Sequence, residues 1–159
     1  MSPAAEKGGR LVLVRHGQTE WSRDGRHTGR TDVPLTDAGE QDARGLAPRL
    51  RAFDLALVLC SPLERARRTA ELAGLDPLPD DDLLEWDYGG YEGLTTPQIR
   101  EARGDGWTVF ADGVVAGTSS PGETVEEVAA RASRVLQRVA PVLEEHDVLL
   151  VGHGHALRV

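Results

Sequence analysis

The sequence predicts an α/β fold, a three-layer sandwich in which a mainly parallel sheet lies between layers of helices. Three short apolar runs, 11–14, 55–60 and 148–151, are rich in β-branched residues and lack polar alternation, the pattern of strands buried on both faces. Segments with helical periodicity separate them. Strands alternating with helices form parallel sheets joined by right-handed crossovers.

The first helix is expected over 37–51, where Ala43, Leu46, Ala47 and Leu50 fall at i, i+3, i+4 and i+7 and so share one face. Thr36 or Asp37 caps it, the latter with Glu40 three residues on. The second begins at Ser61-Pro62-Leu63-Glu64, where Ser is expected to cap, Pro to take the first helical position and Glu to close a capping box. Gly74 stops it. The same grammar recurs at Ser120-Pro121-Gly122-Glu123, followed by an apolar stripe through Val125, Val128, Ala129, Ala132, Val135, Leu136 and Val139. Pro141 kinks or ends that helix.

A chain of 159 residues matches one domain of roughly 150 residues, and no repeat or composition shift divides it. Residues 1–9 hold one Lys and no apolar segment, so they read as a polar arm, with the domain over 10–159 and a cytoplasmic location. The apolar runs are far below the roughly 20 residues of a membrane span. A net charge of −8 opposes a nucleic-acid or anionic-membrane surface, each of which wants a basic face. Cys60 is the single cysteine. It excludes an intrachain disulfide and a cysteine-based zinc site, and at the end of an apolar run it reads as buried and inert. The 17 Arg against one Lys express composition bias, so an arginine is informative only by its position.

Ligands of parallel α/β sheets bind beyond the carboxyl ends of the strands, and each predicted strand is followed by unusual chemistry. The first leads into Arg15-His16-Gly17-Gln18-Thr19-Glu20-Trp21, the second into Ser61-Pro62-Leu63-Glu64-Arg65, the third into Gly152-His153-Gly154-His155. Two histidines and two arginines thus meet at one edge of the sheet. Gly17, Gly152 and Gly154 allow unusual backbone angles and close ligand approach. Arg65 lies in the first turn of its helix, where the macrodipole disfavours a cation unless an anion sits between them. Arg67 and Arg68 read as a solvated face, His146 as a surface cap, and His27 is undecided.

Guanidinium forks match a phosphate dianion, and neutral imidazole is an available nucleophile at neutral pH. A second imidazole can donate to a phosphoryl oxygen, and a carboxyl group must protonate the leaving oxygen. A competing arrangement has His16, His153 and His155 hold a metal ion. Against it, Arg15 and Arg65 would crowd a cation with like charge, and loss of activity in EDTA would discriminate.

The run Leu13-Val14-Arg15-His16-Gly17-Gln18-Thr19-Glu20-Trp21 resembles the signature of the histidine phosphatase superfamily, which includes the cofactor-dependent phosphoglycerate mutases. The likeness continues through Gly29, Asp32-Val33-Pro34-Leu35-Thr36, Ser61-Pro62-Leu63-Glu64-Arg65-Ala66-Arg67-Arg68-Thr69-Ala70, Glu85-Trp86-Asp87-Tyr88-Gly89-Gly90-Tyr91-Glu92-Gly93, Gly122-Glu123-Thr124 and Val151-Gly152-His153-Gly154. It spans nearly the whole chain in the family's order. The resemblance implies a phosphoglycerate mutase-like fold and phosphorylation of His16, with Arg15, Arg65 and His153 around the phosphate. It implies that Glu85 is the proton donor, while Glu92 reads as structural support in the Gly-rich turn. Gln18, Ser22 and Thr28 fall where family members line the phosphate or substrate pocket, although many members carry Asn at the position of Ser22.

The stretch 102–119 is short and lacks the longer basic insertion of the mutases, which favours a phosphatase. The likeness is greatest to broad-specificity acid phosphatase and sedoheptulose-bisphosphatase-like members. It implies a metal-independent hydrolase without cofactor, acting on a small phosphorylated metabolite such as a sugar phosphate. A mutase-type phosphotransferase and an inactive phosphate-binding module are the alternatives. Family members continue past the second histidine with a further helix and usually a strand, so the domain reads as lacking its C-terminal end. Apolar surface on the sheet and on the 124–139 helix is then expected to be uncovered, a setting for homo-oligomer formation.

Overall fold

The computed structural model describes residues 8–159. The arm expected over 1–9 falls, for residues 1–7, outside the described residues. Gly9 packs tightly: its N–H donates to the Leu143 carbonyl at 2.7 Å, and a Cβ there would lie 1.7 Å from the His146 carbonyl oxygen.

The strands are β1 (Leu11–Arg15), β2 (Leu55–Cys60), β3 (Leu78–Pro79) and β4 (Asp147–Gly152), all parallel in the order β1-β4-β2-β3. The helices are α1 (Glu20–Arg23), α2 (Asp37–Leu50), α3 (Glu64–Leu72), α4 (Thr96–Arg103), α5 (Val109–Asp112) and α6 (Val125–Val139). Strand β4 is buried along its whole length, and its side chains alternate between layers. Leu149 and Val151 pack with Leu50, Ala66 and Ala70 from α2 and α3. Val148 and Leu150 pack with Val135 and Val139 from α6. This is the expected sandwich.

At the sheet edge the expectation of two buried faces fails for β1. Among the described residues it pairs only with β4, and Val12 and Val14 join the α2–α3 layer while Leu11 and Leu13 are 37% and 49% exposed. The apolar surface expected on the sheet and on the helix is therefore present. Leu11, Leu13, Leu136 and Val159 flank a cavity of about 250 Å³ beside α6.

Of the two caps offered for α2, Thr36 serves, accepting from Gly39 N–H; other elements differ from their sequence reading. Helix α3 starts without a side-chain cap from its own N-terminal residue; Asp32 accepts from Glu64 N–H at 2.9 Å instead. Thr124 with Glu127 forms the capping box of α6, which leaves Glu123 free to bond elsewhere. On α6 itself Arg131 is buried and Leu136 exposed, reversing the simple stripe. Helix α4 has no counterpart in the sequence reading, although Thr95 and Gln98 form a capping box and Gly104 closes it at φ +76°. The segment carrying α4 and α5 folds over the sheet end as a second core of Trp86, Tyr88, Tyr91, Ile99, Trp107, Val109 and Val128.

Candidate active site

Adjacency of β1, β4 and β2 brings the segments that follow them to one place. Arg15 pairs with Gly152 at the strand ends, His16 N–H donates to the Gly152 carbonyl at 3.0 Å, and Ser61 N–H donates to Val151. None of Gly17, Gly152 and Gly154 takes a positive φ. What Gly17 supplies is close approach: a Cβ would lie 2.5 Å from the Gly39 carbonyl oxygen, so the loop after β1 rests backbone to backbone on the start of α2.

His16 and His153 stand with ring centroids 5.2 Å apart. His16 Nδ1 is 2.7 Å from the Gly17 carbonyl oxygen. A carbonyl only accepts, so Nδ1 carries the hydrogen and Nε2 keeps its lone pair. Burial first, then the like charges of Arg65 and Arg15, lower His16 to about 4, which leaves the ring neutral at pH 7. His153 is fully buried, its Nε2 lies 2.7 Å from Ser61 Oγ, and burial with the charge of Arg65 holds it well below the usual imidazole range. The Ser61 hydroxyl, expected as a helix cap, thus serves the second histidine.

Arg65 is fully buried in the first turn of α3. Its Nη1 donates to the Thr31 carbonyl at 2.9 Å, and its Nη2 to those of Thr28 and Gly29 at 3.0 and 2.9 Å. Two buried side-chain atoms among the described residues have no partner, Arg65 Nε and His153 Nδ1. Buried polar groups are almost always bonded, so two orphans in the region of His16 are places where a polar ligand could bond. The loop that holds Arg65 is itself held by Glu92, which accepts from Gly29 N–H at 2.9 and 3.0 Å and from Thr31 N–H at 3.2 Å. Glu92 is the support its turn position suggested.

Glu85 is 5% exposed. Burial raises its carboxyl above the ordinary range, against the lowering effect of N–H donors from Trp86, His155 and Ala156 at 2.8, 3.1 and 2.8 Å. Arg131 donates to the Glu85 carbonyl at 3.4 Å and to those of Asp82 and Leu84 at 2.9 Å, and pairs with Glu123.

A cavity of about 240 Å³ is lined in part by Arg15, His16, Ser22, Thr28, Glu85 and His155, with the fully buried Arg65 and His153 outside its lining. Gln18 lies in an adjoining recess with Arg15, His16 and Ser22, and its Oε1 accepts from Thr36. The Ser22 hydroxyl is spent on the Thr19 backbone in the capping box of α1, and Thr28 Oγ1 donates to the Arg26 carbonyl. Sequence reasoning missed Tyr88, His27, Arg26 and Arg158 as lining groups. His27-Thr28 adjacency and the i, i+2 spacing of His153 and His155 were the available signals. No three His, Cys, Asp or Glu side chains among the described residues converge as a metal site. No helix among them is long and apolar enough to cross a membrane.

Comparison with known proteins gives the same picture. Residues 11–159 match the family model of the histidine phosphatase superfamily (branch 1). An acid phosphatase of Mycobacterium tuberculosis is 47% identical, over 94% of this chain and 72% of its own length. The sedoheptulose 1,7-bisphosphatase of Saccharomyces cerevisiae is 36% identical, over 94% of this chain and 65% of its own, so the chain spans just under two thirds of that relative. Among solved structures, the product of open reading frame Rv3214 from Mycobacterium tuberculosis superposes with a TM-score of 0.83 at 46% identity, covering 94% of this chain and 76% of that one. A phosphoglycerate mutase from Thermus thermophilus gives 0.71 at 34%, covering 93% and 80%. With a phosphoglycerate mutase-like α/β fold and a match over nearly its full length, the chain belongs to the histidine phosphatase superfamily, branch 1, as an enzyme of the phosphatase type.

Proposed function

We propose that this protein hydrolyses small phosphorylated metabolites, without a metal ion, through a phosphohistidine at His16. The observation that carries the reading is the lone pair on His16 Nε2, fixed by the Gly17 carbonyl, beside the unpartnered Arg65 Nε and His153 Nδ1. In the first step His16 Nε2 attacks phosphorus and the ester P–O bond breaks. Protonated Glu85 gives its proton to the departing oxygen. Arg15, Arg65 and His153 stabilise the equatorial oxygens, where catalysis of phosphoryl transfer is mostly electrostatic. In the second step water attacks phosphorus and the P–N bond breaks, Glu85 carboxylate takes the water's proton, and phosphate leaves a neutral His16.

The relatives' names, acid phosphatase and sedoheptulose 1,7-bisphosphatase, favour sugar phosphates among the substrates. The test is phosphate release from a panel of phosphorylated metabolites in the presence of EDTA. Turnover that survives EDTA and disappears in His16→Ala is expected. Turnover that EDTA abolishes overturns the metal-independent reading.

A further inference from the structure

Beyond the phosphate-binding groups the same cavity reaches a cluster that this chemistry leaves unused. Tyr88, His155 and His27 line it. The imidazoles of His27 and His155 stack at 12° with centroids 5.8 Å apart. Trp107 meets His27 edge-on at 5.3 Å, and Phe110 meets His155 edge-on at 5.4 Å. Packing on both sides fixes the rings.

The hydrogen positions follow from the partners. Tyr88 is buried and its hydroxyl bonds His155 Nδ1. If Nδ1 carried the hydrogen, the buried phenolic hydrogen would have no acceptor among the described residues, which is costly. Tyr88 therefore donates, and the hydrogen of His155 sits on Nε2. Burial keeps the Tyr88 hydroxyl protonated well above the phenol range, and burial, first of all, lowers His155 to about 4, with the charges of Arg158 and Arg15 adding to it. His27 is arranged the opposite way. Its Nδ1 lies 2.8 Å from the Leu94 carbonyl oxygen, which only accepts, so in the neutral ring Nε2 is an acceptor. No described residue bonds either Nε2.

A donor N–H and an acceptor lone pair thus sit on stacked rings that line the cavity. A hydroxyl group both donates and accepts, and so matches this pair. An alkyl chain satisfies neither, and an anionic group could meet only the donor.

We infer that His155 and His27, with Tyr88 as the positioning residue that sets the His155 tautomer, form a subsite reading a free hydroxyl on the leaving group, so that polyol phosphates are preferred over plain alkyl phosphates. The inference rests on the phosphatase reading of this cavity.

The test compares kcat/KM for glycerol 1-phosphate and propyl phosphate, which share a three-carbon chain and differ in hydroxyls. The wild-type ratio is expected to favour glycerol phosphate by about tenfold or more, and Tyr88→Phe and His155→Leu each to lower it about three- to tenfold, the range of one neutral hydrogen bond. Nitrogen-15 spectra should show His155 protonated at Nε2 in the wild type and as mixed tautomers in Tyr88→Phe, a change that looser packing alone would not produce. A wild-type ratio near one, an undiminished ratio in both variants, or a wild-type Nδ1–H tautomer overturns the subsite. If a variant does not fold, the wild-type ratio and spectrum decide. Absence of phosphate release from every ester, p-nitrophenyl phosphate included, overturns the phosphatase reading itself and the subsite's role with it.

Discussion

His16 and His153 face one another at 5.2 Å, yet their ring nitrogens are committed differently. His16 keeps Nε2 as a lone pair, whereas His153 spends Nε2 on Ser61 and leaves Nδ1 unpartnered. In the proposed mechanism the first attacks phosphorus and the second donates to a phosphoryl oxygen. His16→Ala should lower phosphate release at least about a thousandfold, as for loss of a nucleophile that acts in a unit, and abolish acid-labile labelling by a radioactive phosphate donor. His153→Ala should still label weakly.

Glu85→Gln cannot donate a proton. Hydrolysis of alkyl phosphates should fall about 10²- to 10⁴-fold, while p-nitrophenyl phosphate, with a stable phenolate leaving group, should be largely spared in its first step. Burst kinetics that separate labelling from turnover check this. Equal loss of labelling with both esters would count against Glu85 as the donor.

Glu92→Gln should act through the loop that holds Arg65. Weakened charge-assisted bonds to Gly29 and Thr31 predict a loss of about 1.5–3 kcal/mol in stability. They also predict a rise in KM larger than the fall in kcat. Thermal unfolding and steady-state kinetics measure the two effects.

The pH profile follows from the direction of each shift. His16 is protonated only below about 4, so kcat/KM should rise as pH increases through that value, not through the ordinary imidazole value of about 6.5. Glu85 is raised by burial, and activity should fall as pH climbs through its elevated value, giving a bell-shaped profile. Stability moves too. His16 and His155, each lowered to about 4, and His153, held well below the usual range, bind fewer protons folded than unfolded. Stability should therefore decline as pH falls from about 6.5 towards 4, which denaturant titration at several pH values tests.

Leu149→Ala, at a fully buried site between β4 and the α2–α3 layer, should cost about 2–5 kcal/mol. Leu13→Ala, on the open face of β1, should cost much less, as differential scanning calorimetry will show.

Strands β1, β2 and β4 and the helices α2, α3 and α6 were legible in the sequence because their signals are local, whereas β3, two residues long, carries no apolar run. The run at 148–151 needs only its own composition to be recognised as buried, whereas β2 is buried only at Leu59 and Cys60, and Gly74 at φ +78° ends α3 as a glycine after a periodic segment should. The resemblance carried by Arg15-His16-Gly17 and its ordered companions identified the family. Tertiary structure decided what depends on partners distant in sequence. Ser61 has a capping residue's position, but 92 residues later the chain brings His153 to its hydroxyl. Asp32 then caps α3 from a loop. Arg65 in a helix's first turn pointed to an anion, and the fold adds carbonyls from Thr28, Gly29 and Thr31 that hold most of its guanidinium and leave Nε unpartnered. Likewise the His27-Thr28 adjacency and the spacing of His155 from His153 mark these residues in a linear reading, but not the state of their rings. Their tautomers exist only because Leu94 and Tyr88 are placed against them, since a hydrogen on an imidazole is assigned by the atom it meets across space.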